Sequence, residues 1–589
     1  MDSFVEFLKT DNYSQIIMVL CKKRAKCACK RHDEILVHSL TPMYSLSSPK
    51  MDNEEFNELS SMMPSRRKWF HLYPNERIKN NNSINTFDYN KLAILKRIKY
   101  DISNGTKAPY IDNLLDFCKK VVSIVESPSF SFTRPTTIPK IKKRIEDEVE
   151  CRPISVFTRL EEYVILTLAN KFLTKLFDVD FYEESLAFRA IRSYHGQNGV
   201  ITTHHDAIKT ILSFRECFEN RNIYVAECDM QKFYDTVGHD IVRKAFYELI
   251  RKHKKGESRD TYKSIKRIVE SYLRCYSFPQ NVLCYNHNPN YWESHNIVNG
   301  KFSWIKEHDV PLSYKSYSTF KKAKVGIPQG GALSGLFANI VLNHVDQIVS
   351  SHLTNRDLYI RYCDDMILLS TNKRRCEKLF KIYSSALEEV HLIPHKPKSN
   401  YIYNRKTFWD CKTKDVYKWD IATDSNPEWI GFVGYEIKRN GDVRIRKSSL
   451  SKEIKKQKDY VNNLIQIIDK NDCVGAGTLR ESCINHLISM SVGRVKLWNA
   501  SKIENEMCWI NGFRELKYGN RVKIQIKELD YYRNRTICIA KQKFSKLTGV
   551  GKVISNKERE RRCNLISRYG KPFSYYYHFS RIAEKNKIE

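Results

Sequence analysis

The run Leu358-Tyr-Ile-Arg-Tyr-Cys-Asp-Asp-Met-Ile-Leu-Leu369 sets two adjacent carboxylates between two apolar, β-rich halves. That pattern predicts a hairpin with Asp364 and Asp365 at its tip. Paired anions repel, so folding them together costs free energy unless cations neutralise them. Carboxylate oxygens suit hard Mg²⁺, which keeps waters and takes substrate phosphate oxygens at its remaining positions. On this run alone, an ordinary Asp-Asp turn is an equal reading.

Upstream, Asn222-Ile-Tyr-Val-Ala-Glu-Cys-Asp229 reads as a short apolar strand ending in a carboxylate. Ile241, Val242, Ala245, Phe246, Leu249 and Ile250 then form one face of a helix. A lone aspartate at a strand end is usually a cap or a turn. Between these runs lies Gly326-Ile-Pro-Gln-Gly-Gly-Ala-Leu-Ser-Gly-Leu-Phe-Ala-Asn-Ile-Val-Leu-Asn343. Its Gly-rich turn feeds directly into a helix, so backbone can approach a ligand closely. Each run is weak alone. In the order strand-Asp, Pro-Gln-Gly-Gly helix, Tyr-Cys-Asp-Asp hairpin, they form a specific constellation.

In that order the three runs resemble motifs A, B and C of the reverse-transcriptase palm. Cys363 fills a slot where Ala or Val is commoner. The resemblance implies an α+β right-hand polymerase, with fingers and palm of antiparallel sheet plus helices and a helical thumb. It further implies that Asp229 and Asp364 hold two Mg²⁺ ions, which lower the pKa of the attacking 3′-hydroxyl and stabilise the leaving pyrophosphate. Asp365 would be the third carboxylate, and Gln329 and Gly330 of the Gly-rich turn would meet the nucleotide.

More of the chain is similar to the family. Arg152-Pro-Ile-Ser with the helix from Leu160, and Glu183 to Ser193 with His205-Asp-Ala-Ile208, look like its two fingers motifs. Arg152 and Arg189 thereby become candidates to grip the incoming triphosphate through their guanidinium forks. Leu392-Ile-Pro-His-Lys-Pro-Lys-Ser399 resembles motif D, with Lys398 as the proton donor to pyrophosphate and Lys396 as its fallback. Trp429 to Ile437 resembles the primer grip, although plain hairpin core fits it equally. Tyr234 occupies the family's steric-gate position, where a ring excludes a ribose 2′-hydroxyl and makes DNA the product. Strand alternation would turn Phe233 inward and leave Tyr234 facing the substrate.

The bulk properties agree with a nucleic-acid partner. Among 589 residues, 100 Lys plus Arg stand against 67 Asp plus Glu, a formal charge of +33; such an excess favours a polyanion. No apolar run nears the roughly 20 residues of a membrane span, and no cleavable signal pattern is read. The 17 cysteines form no regular disulfide framework and read as reduced thiols of a cytoplasmic protein. Residues 1–140 are expected to be a mostly helical extension and 141–447 the fingers and palm, with an insert at about 254–322. Residues 448–540 are the expected thumb, its stripe formed by Leu450, Ile454, Val461, Leu464, Ile465 and Ile468. A basic aromatic tail, 541–589, would offer stacking surfaces to RNA through Lys571 to Arg581.

Departures from the family narrow the reading. Gly335 follows Ser334 where intron enzymes carry proline, and no nuclease, RNase H, integrase or retron signature is found. What remains is similar to bacterial unknown-group and abortive-infection reverse transcriptases. That resemblance implies RNA (including a structured non-coding RNA), dNTPs and a DNA product as partners, antiviral defence as the role, and allows a homo- or hetero-oligomer. Two alternatives stay open: a template-independent or protein-primed polymerase on the same palm, and a catalytically silent RNA-binding scaffold.

Overall fold

The computed structural model describes residues 2–38, 54–79, 82–84, 86–190, 192–194, 197–200, 202–253, 260–305, 323–397, 402–403, 405–423, 425–469, 487, 513–516 and 520–547. Lys398 and the tail segment Lys571 to Arg581 lie outside them. Two compact units emerge, Met1–Leu20 with Pro109–Val433, and Cys21–Ala108 with Gly434–Glu589. Their limits differ from the expected breaks at 140 and 447 for local reasons. The helix Pro109–Glu126 is held in the first unit, where Arg267 donates to the Val125 carbonyl at 3.0 Å. In the second, the Gln525 side chain donates to the Ile445 carbonyl at 2.8 Å and accepts from its N–H at 3.1 Å.

In the first unit, Thr136–Ile145 (β1) and Glu148–Val156 (β2) form an antiparallel hairpin. Along β2, Val149, Cys151, Pro153 and Ser155 are buried while Arg152 is exposed, the period of two that a half-buried strand requires. Leu160–Phe177 (α1) and His204–Cys217 (α2) follow, the latter opened by a capping box of Thr203 and Asp206. Ile223–Cys228 (β3) leads into the one-turn helix Phe233–Thr236 (α3) and then His239–His253 (α4).

The described part of the expected insert, 260–305, is built into this unit. Its helix Lys263–Arg274 (α5) buries Ile265, Ile268, Val269 and Tyr272. Its short strand Gly300–Phe302 (β4) adds in parallel to β2, Val149 facing Gly300 and Cys151 facing Phe302. Trp292, Tyr276, Phe278 and Phe302 share one core with Val149 and Cys151. A Cβ on Gly300 would fall 2.0 Å from the Trp292 ring, so glycine lets the strand lie under the indole.

Ser334–Ser350 (α6), Asp357–Tyr362 (β5), Asp365–Ser370 (β6), Lys373–Glu389 (α7) and Lys414–Trp419 (β7) follow in the same unit. The sheet is antiparallel, in the order β7-β3-β6-β5. Helix α7 packs on β3, β6 and β7 and buries Cys376, Leu379, Tyr383 and Leu387. The β5–β6 hairpin forms as the sequence predicts, but its tip is Cys363–Asp364. Asp365 already pairs with Tyr362 and opens β6. Two-residue hairpin turns call for a residue at positive φ, and Cys363 supplies it at +62°.

Beneath that turn lies a fully buried ion pair. Arg361 and Asp346 have no exposed side-chain surface, and the guanidinium reaches both carboxylate oxygens at 2.6–3.1 Å. Its other donors go to the Cys363 carbonyl at 2.9 Å, Ser185 Oγ at 2.7 Å and Asn339 Oδ1 at 3.3 Å.

The second unit holds the hairpin Tyr435–Lys438 (β8) and Val443–Ile445 (β9), and the helices Lys447–Asp469 (α8) and Asn520–Leu547 (α9). On α8, Leu450, Ile454 and Val461 are buried as the stripe predicts; the side chains of Leu464, Ile465 and Ile468 lie outside the described residues. The two helices pack on each other, with the Lys458 ammonium 4.5 Å from the centre of the Tyr532 ring. Among the described residues no helix is long and apolar enough to cross a membrane.

Truncating Arg361 to alanine leaves Asp346 as a buried charge with no counter-charge from that guanidinium, a change that costs about 3–5 kcal/mol. Urea unfolding of Arg361→Ala should show that loss; a change below about 1 kcal/mol would mean that the pair does not organise the core.

Candidate active site

Asp229 follows the last residue of β3 and is held from both sides. Thr413, at the entrance to β7, accepts from the Asp229 N–H at 3.3 Å and donates to its carbonyl at 3.3 Å. On the other side the His395 N–H donates to the same carbonyl at 2.9 Å, as Gln231 N–H does to the Ile393 carbonyl at 2.7 Å. The carboxylate therefore projects from a fixed backbone. Its Oδ2 receives the Lys412 ammonium at 2.7 Å, and His395 Nε2 stands 3.1 Å from that ammonium. Burial and the Lys412 charge hold the His395 imidazole below its ordinary range.

The register of β6 on β3 pairs Met366 with Cys228, which brings Asp229 beside the Cys363–Asp365 turn. Asp364 is half-buried and Asp365 exposed. Burial first, then the Asp229 charge, push the Asp364 carboxyl above the usual carboxylate range. Two carboxylates that raise each other's electrostatic cost are a donor set suited to a hard divalent cation. Among the described residues, no three His, Cys, Asp or Glu side chains are gathered into a metal-binding cluster. Here the Lys412 ammonium is the cation that Asp229 meets.

Tyr234 lies on α3, a one-turn helix, so strand alternation is not what separates it from Phe233. Phe233 is nonetheless buried, and its ring meets Tyr234 edge-on at 5.2 Å. The Tyr234 hydroxyl stands 3.1 Å from Cys363 Sγ, at the tip of the carboxylate turn. Burial, then Cys363 and Asp364, raise its pKa, so the phenol stays neutral. The next residue, Asp235, is buried, and burial lifts its carboxyl to about 6.

Asp235 accepts from Gln329 Nε2 at 2.6 Å, fixing the amide of the Gly-rich turn. That turn is further tied by the Ile327 N–H to the Tyr234 carbonyl and the Ser155 N–H to the Gln329 carbonyl, both 2.8 Å. Gly330 takes φ +85°, a conformation L side chains rarely adopt, and a Cβ on Gly331 would meet the Tyr272 hydroxyl at 2.2 Å. The Gly335 departure has a local cause as well. A Cβ there would fall 2.7 Å from the Phe188 ring, so a larger residue requires that ring to shift.

The two arginines part company. Arg152 is exposed on β2, and its charge reaches Asp235. Arg189 has no exposed side-chain surface. Its Nε donates to Asp178 Oδ1 at 2.8 Å, and its remaining N–H groups go to the carbonyls of Tyr182, Ser185, Asp178 and Phe181. That exhausts the five donors of a guanidinium. Arg189 therefore braces the segment 178–185 rather than presenting a fork to phosphate, and the expectation for it is corrected.

Lysines that sequence reasoning passed over stand closer. Lys412 touches Asp229 from the loop before β7. Lys232, three residues after Asp229, donates to Ser303, and Lys142 donates to Glu150 at 2.8 Å. Only the pairing of β7 with β3 brings Lys412 to Asp229, and no local pattern announces that pairing.

A model of the reverse transcriptase (RNA-dependent DNA polymerase) family matches residues 141–437, half of the chain. Protein YkfC of Escherichia coli (strain K12) is 23% identical over 197 residues, 33% of this chain and 36% of that protein. The chain thus spans about a third of that relative's length. Among solved structures, apo telomerase from Candida tropicalis is similar at TM-score 0.34 and 13% identity, over 89% of this chain and 85% of that one. Telomerase from Candida albicans in complex with a TWJ fragment of telomeric RNA gives TM-score 0.32 and 14% identity, over 86% and 81%. With TM-scores this low, the family match carries the assignment.

The Asp235 carboxyl has a signed consequence. Its folded pKa of about 6 lies above the ordinary 3.8, so the folded state binds the proton more tightly. Its ionisation therefore costs stability as pH rises from about 4 to 6, and the penalty stays in full above that. Asp235→Asn, which keeps the acceptor and removes the charge, should exceed wild type by about 3 kcal/mol at pH 8. Denaturant titrations should show that gap closing toward pH 4; equal stabilities at both ends would contradict it.

Proposed function

This chain belongs to the reverse transcriptase family of RNA-directed DNA polymerases, and on that premise we propose that it copies RNA into DNA at the Asp229–Asp364 site. The observation that carries the reading is the β3–β6 register, which sets Asp229 against the Cys363–Asp365 turn. In this reading Asp229 and Asp364 hold two Mg²⁺ ions, with Asp365 supporting them. When bound, these ions supply Lewis acidity that lowers the pKa of the primer 3′-hydroxyl and neutralises the pyrophosphate.

The protein's own residues do the rest. Tyr234 fills the space beside the turn where a ribose 2′-hydroxyl would sit. Gly330 and Gly331 let the turn's backbone approach the nucleotide, while Gln329 keeps the orientation that Asp235 imposes. Arg152, with Lys142 and Lys232, offers cations to the triphosphate. Lys398 remains the proposed proton donor to pyrophosphate.

The net charge of +33 supports an RNA partner. The family departures noted in the sequence support a structured non-coding RNA as that partner. They also support a role in antiviral defence in a bacterial cytoplasm.

Sequencing the DNA made by purified protein, with and without its co-purified RNA, tests the proposal. A product complementary to the RNA supports it, and a homopolymer or simple repeat would replace it with untemplated synthesis. Tyr234→Ala should cut the preference for dNTP over rNTP by about 100-fold, the discrimination that a steric contact in a pocket provides. An unchanged preference in single-nucleotide incorporation would remove DNA specificity from Tyr234.

A further inference from the structure

The segment between α4 and Gly326 has no part in the reading above, yet one of its residues enters the site. Ser303 follows β4, and β4 is fixed by its pairing to β2 and by Trp292 packed over Gly300. The Lys232 ammonium donates to Ser303 Oγ at 2.6 Å and to its carbonyl at 2.5 Å. Ser303 Oγ in turn donates to Glu150 Oε1 at 2.6 Å, and Lys142 donates to the same oxygen at 2.8 Å. One hydroxyl thus accepts from a lysine and donates to a carboxylate, which is the full use of its proton.

The charges around this relay make its purpose specific. Lys232 senses Asp235, Lys142, Glu150 and Lys412, and burial lowers its own pKa. Burial also works against the charge of Glu150, but Lys142 and Ser303 outweigh it and hold the carboxyl down at about 2. Glu150 is therefore a fixed anion, and an ammonium on a flexible four-carbon stem would be drawn to it or to Asp235. Ser303 stands between Lys232 and Glu150 and takes two of the three ammonium donors. It thereby bridges the cation to the Glu150 carboxylate and fixes where the ammonium stands. The charges of Lys142, Arg152 and Lys232 reach Asp235 and those of Lys412, Lys142 and Lys232 reach His395, and a triphosphate is the polyanion that such a set of cations matches.

We infer that Ser303 is a positioning residue for the triphosphate of the incoming nucleotide, acting through Lys232. The inserted segment is thereby a structural part of the dNTP site. This rests on reading Asp229 and Asp364 as a polymerase centre.

The test is primer extension on poly(rA)/oligo(dT), run beside equilibrium binding of dTTP to the same protein–nucleic acid complex. Ser303→Ala should raise both KM and Kd for dTTP about tenfold and leave kcat within about twofold, as expected for losing one charge-assisted hydrogen bond outside the chemistry. Ser303→Thr keeps the hydroxyl and should restore both constants. In the background of Lys232→Ala, Ser303→Ala should add nothing further, because the serine acts through that lysine.

Unchanged KM and Kd in Ser303→Ala overturn the inference, as does a loss that adds in full to Lys232→Ala. A lower melting temperature at unchanged Kd overturns it equally. Wild-type protein that binds dTTP but extends no template would remove the polymerase reading, while the Kd comparison would still decide the role of Ser303.

Discussion

The Arg361–Asp346 pair is the constraint on which the rest of the first unit depends. Both groups are fully buried, where taking charges out of water is expensive and their attraction repays it only in good geometry. The geometry here is bidentate, and Tyr359 adds a hydroxyl donor to Asp346 at 2.7 Å. Such a pair contributes orientation more than net stability. Arg361 sits on β5, Asp346 and Asn339 on α6, Ser185 in the segment between α1 and α2, and the Cys363 carbonyl at the hairpin tip. One guanidinium therefore fixes where the carboxylate turn stands relative to the helix that follows the Gly-rich loop.

From that fixed turn the site follows by pairing. Asp229 is set by β3 against β6, Tyr234 by its approach to Cys363, and Gln329 by Asp235. The electrostatics are those of an anion site with its own counterions. Carboxylates at Asp229, Asp235, Asp364 and Glu150 are interleaved with Lys142, Arg152, Lys232 and Lys412. Where burial removes water, as at Asp235, Asp364 and Lys232, these interactions are stronger than at an open surface.

Much of this was legible in the sequence because it is written locally. An apolar strand ending in Asp229, a Gly-rich turn before a helix, and a carboxylate pair between β-rich halves each need only a few consecutive residues to recognise. The hairpin tip came out one residue early, because strand alternation does not reveal which residue will take positive φ. Phe233 and Tyr234 were separated correctly in burial but by helix geometry, not by strand geometry. What the sequence hid is non-local. Arg189 reads the same whether its fork meets phosphate or five buried acceptors, and Lys412, His395 and Ser303 reach the site only through pairings made far along the chain. The place of the insert is hidden as well, because β4 joins β2 across about 150 residues, a parallel pairing that no short-range pattern signals.

The central claim is that carboxylates at the β3–β6 junction perform metal-dependent nucleotidyl transfer. Its most direct measurement is primer extension on an RNA template in Mg²⁺ by wild type and by Asp364→Asn, a near-isosteric change expected to leave the fold intact. Loss of the metal-binding charge should lower the rate by at least about 1,000-fold, the scale of several kcal/mol of transition-state stabilisation. A folded Asp364→Asn protein that keeps more than about a tenth of the wild-type rate would contradict the account.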